Sequence, residues 1–196
     1  MKIQYTYNNK FIIPLFILFA LSTFHLYSND VISATKTSEN AIQISFDYIR
    51  LSGIASNQFA VWIEDLSGNY VKTIYVTQFT AKKGWKNRPD SIPLWAKSSK
   101  VSTLSKVDID SISSATPQSK TINLSWDFTD YNSLPVADGE YKILIEGSIR
   151  WKYRVLYSAI INKSENNKNI NIETHYSGEK KKDENMISNV SLLYKK

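Results

Sequence analysis

Apolar and polar residues alternate along most of this chain, with the period of two that belongs to strands having one dry face and one wet. Residues 41–51 (AIQISFDYIRL) send Ile42, Ile44, Phe46 and Tyr48 to one side. After a turn, residues 58–64 (QFAVWIE) are apolar on both sides, as an interior strand is. DLSGN at 65–69 has the composition of a hairpin turn, and residues 70–79 (YVKTIYVTQF) return from it. Residues 122–149 hold two more alternating segments, INLSWD and EYKILIEGSI, joined by TDYNSLPVADG. Ile122, Leu124 and Trp126 share one face, as do Tyr141, Ile143 and Ile145, with Leu144 opposite. A long hairpin is predicted here, its connection too polar and too interrupted to continue a strand. Strand patterns resume at 151–161, 170–176 and 186–194, separated by loops rich in Asn and Lys.

Residues 80–119 break the rhythm. Asp90 or Ser91 is placed to cap a short helix over 92–98, with Pro93 in its first turn and Leu94 and Trp95 facing inward. This helix is expected to close one end of a sandwich. Residues 98–119 are rich in Ser and poor in large apolar side chains. About eight strands and a single helix predict an all-β chain, an immunoglobulin-like antiparallel β-sandwich with one short helix, as a single domain over 36–196.

The N-terminus adds a destination. Lys2 and Lys10 precede an almost wholly apolar run over 11–24, which contains Pro14 and is short for a membrane-spanning helix. Residues 1–28 therefore read as a secretory signal, with cleavage as late as 34, and the domain as a periplasmic one. Retention of the segment would keep the domain at the membrane.

Composition removes whole classes of chemistry. The 196 residues include no cysteine, which excludes disulfides, thiolate catalysis, iron–sulfur ligation and thioether-linked haem. The formal net charge is +6, with part of the excess in the leader and part in the lysines of 180–182 and 195–196. That is a solvated surface, not the concentrated basic face of a nucleic-acid-binding protein. His25 lies in the leader, which leaves His175 as the sole imidazole of the mature chain, on an alternating strand and without an elbow-type serine elsewhere. Asp127, Asp130, Asp138 and Glu140 crowd one connection, but DFTDYN lacks the ligand spacing of a calcium loop and reads as turn-forming residues. Glu64 and Asp65 end a strand and open a turn. No catalytic constellation and no metal site are predicted. The twelve Tyr and five Trp are first of all core, with Trp62, Trp126, Tyr141 and Ile143 expected inside.

Four pieces of the chain carry a family resemblance: FAVWIEDLSGNYVKTIYV at 59–76, PLW at 93–95, DSISSAT at 110–116 and LSWDFTDYNSLPVADGEYKILIEG at 124–147. Together they resemble the predicted periplasmic proteins catalogued as domain of unknown function 2271, over roughly 42–194. The last piece is also similar to the immunoglobulin-like repeat of flagellar hook-capping proteins, in which W-D…D…G-x-x-V-x-x-G-x-Y marks one hairpin. Trp126, Asp127, Asp130, Val136, Gly139 and Tyr141 occupy those places, with Ser133 where glycine is usual. That similarity implies a fold and no function.

DSISSAT resembles a further pattern, the flavinylation motif D-x-x-[ST]-G-A-T of exported redox proteins, among them subunits of sodium-pumping quinone reductases. In that motif the final threonine carries FMN through a phosphoester, installed from FAD by a magnesium-dependent flavin transferase. The resemblance makes Asp110 the acidic lead, Ser113 the hydroxyl residue, Ala115 the small residue and Thr116 the acceptor, with Ser114 in place of glycine. The implied partners are a periplasmic flavin transferase and a membrane redox protein, and the implied role is an electron carrier without turnover of its own. Trp85, Trp95 or Trp126 is expected to supply a rest for the isoalloxazine. By composition alone the same stretch is an exposed serine-rich turn before Pro117. A non-redox binding or structural domain that docks on a membrane partner is then the alternative.

Overall fold

The computed structural model describes residues 40–52, 56–150, 152–164, 170–178 and 186–195. The leader read over 1–28 lies outside the described residues. Strand β1 (Ala41–Tyr48) is the centre of a three-stranded sheet, between β5 (Lys120–Trp126) and β9 (Ile187–Lys195). The second sheet has six strands: β2 (Gln58–Asp65), β3 (Tyr70–Thr77), the two-residue β4 (Ser113–Ser114), β6 (Glu140–Arg150), β7 (Tyr153–Asn162) and β8 (Glu173–Ser177). They lie in the order β4-β3-β2-β6-β7-β8. All pairings are antiparallel except that of β4 with β3. The β-sandwich expected from the alternation is the fold the chain adopts.

The period of two decides what each face meets. Ile42, Ile44, Phe46 and Tyr48 of β1 face Phe59, Val61 and Ile63 of β2 and Tyr141, Ile143 and Ile145 of β6, forming the core between the sheets. Trp126 is fully buried there, with ring centroids 4.8 Å from Phe128 and 5.3 Å from Tyr141. Its indole N–H donates to the carbonyl of Thr129 at 2.9 Å, so the burial leaves no polar atom stranded.

The hairpin predicted over 122–149 does not form. β5 pairs with β1, β6 pairs with β2 and β7, and residues 127–139 cross from one sheet to the other. An alternating apolar face fits a strand beside its neighbour and a strand facing it across the core equally well, and the sequence pattern does not separate the two. The crossing is held locally. Asp130 accepts from the backbone N–H groups of Asn132 (2.8 Å) and Leu134 (2.9 Å), and Ser133 takes a left-handed φ of +64° in the place where glycine is usual.

The outward residues of β2 and β6 do not meet solvent. Ala60, Trp62 and Leu144 pack against Val76, Ala81, Ile92, Trp95 and Val101 in a second core. The cover is an insert over 78–112: a kinked turn at Thr80–Gly84, the short α1 (Trp85–Asn87), α2 (Pro93–Ser98) and α3 (Lys106–Ile112). Gly84 lies so close to Phe79 that a Cβ would collide with its carbonyl oxygen and ring. The helix expected over 92–98 is α2. It covers a face of the larger sheet instead of an end of the sandwich, with Trp95 fully buried and Leu94 43% exposed. α3 lies in the serine-rich stretch where the pattern predicts no helix; Ser105 and Asp108 close a reciprocal capping box at its start, each side chain bonded to the other's backbone N–H at 3.1 Å.

Candidate functional site

The seven residues of DSISSAT are divided among three kinds of backbone. Asp110 sits in α3, exposed, with its carboxylate 2.7 Å from the Lys82 ammonium. That hydrogen bond holds its carboxyl below the usual range. Ser113 and Ser114 leave the helix as β4, alongside Val76 and Thr77 at the edge of the larger sheet. Ser114 is exposed and extended, with no left-handed φ, so the backbone here does not require the usual glycine. Ser113 is half-buried. Ala115 and Thr116 follow as an irregular connection toward β5.

Three side chains distant in sequence fix that connection. The Tyr75 hydroxyl donates to the carbonyl of Ala115 at 3.1 Å, and the Arg50 guanidinium to the carbonyl of Thr116 at 3.4 Å. The Gln58 amide donates to the Thr116 hydroxyl oxygen at 3.5 Å, a long contact. Gln58 is itself held, since its carbonyl oxygen accepts from the Thr80 backbone N–H (3.2 Å) and hydroxyl (3.0 Å). Tyr75 is braced by stacking on Phe59 at 4.9 Å. Thr116 is thus half-buried on a backbone pinned at its own carbonyl and at that of Ala115, with its hydroxyl loosely held. Asp110, at the far end of the motif, is engaged with Lys82 and not with the threonine. Arg50, Gln58 and Tyr75 were not legible as its partners, because separations of 40 to 66 residues carry no spacing signal.

The tryptophans named as rests for an isoalloxazine divide. Trp95 and Trp126 are wholly enclosed in the two cores and present no face; Trp85 is half-buried in the insert. A cleft of about 320 Å³ lies nearer the motif, lined by its Ser111 and Ile112 together with Tyr70, Lys72, Ile74 and Tyr131.

Other candidates resolve into structure. The Asp65 carboxylate accepts from the backbone N–H and side-chain amide of Asn69, both at 2.8 Å, closing the β2–β3 turn, and Glu64 accepts from the Trp62 indole at 2.8 Å. Asp127 accepts from the Thr129 hydroxyl at 2.6 Å and lies 3.5 Å from Lys72. His175 is exposed on β8. Among the described residues no three His, Cys, Asp or Glu side chains gather to hold a metal ion.

A family match now joins the geometry. Residues 39–181 match the family described as predicted periplasmic protein (DUF2271). The chain belongs to that family. No curated protein and no solved structure gives a significant match. The periplasmic location of a DUF2271 protein agrees with the exported reading, and among the described residues no helix is long and apolar enough to cross a membrane.

One residue of this DUF2271 domain was missed altogether. Glu146 of β6 lies on the outer face of the larger sheet, in register with Ala60 of β2 and Leu156 of β7, and is 1% exposed beneath the insert. Its carboxylate accepts from the backbone N–H groups of Trp95 (3.0 Å) and Leu94 (3.4 Å), capping α2 where neither Asp90 nor Ser91 does. Arg154 approaches to 3.6 Å from β7. Burial raises the carboxyl to about 7 against the opposing pull of these donors and of Arg154. In sequence Glu146 falls on the polar side of an alternating strand, and that side reads as solvent unless the insert is known to cover it.

Proposed function

We propose that this periplasmic domain carries FMN joined to Thr116 through a phosphoester and relays electrons to or from a membrane redox protein. The observation that carries the reading is the setting of Thr116, last residue of a D-S-I-S-S-A-T string. It has a loosely held hydroxyl on a pinned, partly exposed backbone. Two further features support it. The Arg50 guanidinium beside Thr116 places a permanent cation where a phosphoester would bring negative charge. The extended backbone of Ser114 removes the conformational need for glycine at that position of the motif.

In the installing step the Thr116 hydroxyl oxygen bonds to the FMN phosphorus of FAD and the pyrophosphate bond breaks. AMP departs, and the hydroxyl proton passes to a base of the transferase. The step is a group transfer and changes no oxidation state. The chain itself contributes the acceptor oxygen, the neighbouring cation and, in the cleft lined by Ser111, Ile112 and Tyr131, a partly apolar recess close to the motif. Bound flavin supplies the redox chemistry.

The test is intact mass and visible spectrum after co-expression with a periplasmic flavin transferase, for the native chain and for Thr116→Ala. A mass increase of one FMN residue with yellow colour, both lost in Thr116→Ala, is expected. An unmodified native chain, with the transferase active on a control substrate, overturns the reading and leaves a non-redox periplasmic binding domain.

A further inference from the structure

A larger cleft, of about 700 Å³, opens between the β2–β3 turn and the helical insert. It is separate from Thr116 and none of the DSISSAT residues lines it. Its two walls differ in character. The sheet side offers Trp62, Tyr70 and Leu144, and the insert side offers Leu94, Leu104 and two basic residues, Lys97 and Lys100. Glu64 is the one carboxylate among the lining residues, and it is already occupied by the Trp62 indole N–H at 2.8 Å.

The exposed aromatic at this cleft is held in an unusual way. Tyr131 is tied by its backbone, its N–H donating to the carbonyl of Val71 at 3.0 Å, yet its side chain is left 67% exposed. Its ring stands 6.5 Å from that of Tyr70, and the exposed Leu94 belongs to the same cleft. A large exposed ring beside uncovered aliphatic surface offers a ligand apolar contact area. Ser98 and Ser99 also line the cleft, and their hydroxyls are buried without a hydrogen-bond partner among the described residues.

We infer that this cleft binds a small organic anion with an aromatic body, its ring against Tyr131 and Tyr70 and its charge toward Lys97 and Lys100. The charge complementarity selects the anion, and the aromatic and aliphatic surface selects the body. The cleft shares Tyr70 and Tyr131 with the smaller one beside the motif, so the inference is tested on the domain without flavin, where probe binding is read separately from the mass measurement on Thr116.

A pair of fluorescent probes tests both halves of the inference on the full mature domain at low ionic strength. One is 8-anilinonaphthalene-1-sulfonate; the other is N-phenyl-1-naphthylamine, which has the same aromatic body and no charge. Saturable binding of the sulfonate at one site is expected, about fivefold tighter than the uncharged probe, the modest gain that two exposed lysines allow at low ionic strength. The double variant Lys97→Glu/Lys100→Glu should abolish that preference, and Tyr131→Ala should weaken both probes, with circular dichroism unchanged in each. Equal affinity for the two probes removes the anion. Binding that survives Tyr131→Ala, or no saturable binding to the native domain, removes the site.

Discussion

Trp126 and Asp127 are neighbours in sequence and opposites in setting. Trp126 is wholly enclosed between the sheets, where Phe128 and Tyr141 close around it. Its replacement by alanine leaves a cavity that strands on both sides cannot collapse to fill, at a cost of roughly 3–5 kcal/mol. Against a total stability of about 5–15 kcal/mol, that threatens the fold. Asp127 lies at the surface. Partial burial opposes its charge, but the Thr129 hydroxyl and Lys72 outweigh that and hold its carboxyl below the usual range. Asp127→Ala loses those bonds and creates no large void, so it should cost distinctly less than Trp126→Ala in urea unfolding. An equal or larger loss would place Asp127 in a network that the hydrogen bonds to Thr129 and Lys72 do not account for. Residues of this kind were legible from the chain alone: Trp62, Trp126, Tyr141 and Ile143 are all buried as expected. Trp62, however, serves the second core and not the first. Alternation tells which residues leave the water and is silent about what they meet.

Elements join residues that the sequence keeps apart, and α2 shows it best. Six residues make a helix too short to persist alone, and its first turn has no side-chain cap of its own. The cap comes from Glu146 in the middle of β6, whose carboxylate is buried by the same helix that it holds. The carboxyl titrates at about 7 in the folded chain and near 4.5 when unfolded, so between those values the folded state binds the extra proton. Its contribution to stability is therefore fully present below about pH 4.5 and lost as pH rises through about 7, a change on the order of 3 kcal/mol. The aspartates with lowered carboxyls, Asp47, Asp65, Asp110 and Asp127, act with the opposite sign and in a lower window, as pH falls below their unfolded value. Urea midpoints of the native chain should thus decline from pH 5 to pH 8, and Glu146→Gln should flatten the decline while leaving the acid limb unchanged. A native curve that is flat from pH 5 to 8 would mean that the carboxyl is not raised by its burial.

At the scale of the whole molecule, what escaped sequence reading was connectivity. β5 and β6 have the faces of a hairpin but sit in different sheets, and the insert hides a face of β6 that alternation marks as wet, beside β2, whose two apolar sides already called for a cover. The consequence is a layered molecule whose two cores are of unequal strength. The core between the sheets is built from three strands on one side and long neighbouring strands on the other, with β1, β2, β6 and β7 all contributing. The outer core has fewer buried residues and rests on Trp95, whose indole N–H reaches Thr73 at 2.9 Å while its backbone N–H meets Glu146. Helices of six and seven residues have no stability apart from that packing. The insert should therefore open as a unit at a lower free energy than the sandwich beneath it. In native-state hydrogen exchange, amides over 85–112 are expected to lose protection before those of β2 and β6. Trp95→Ala, which removes roughly 3–5 kcal/mol of packing, should deprotect the insert while the strands keep most of their protection and the β-type circular dichroism persists. If the substitution instead deprotects β2, β6 and the insert together, the two cores form one cooperative unit and the layered description fails.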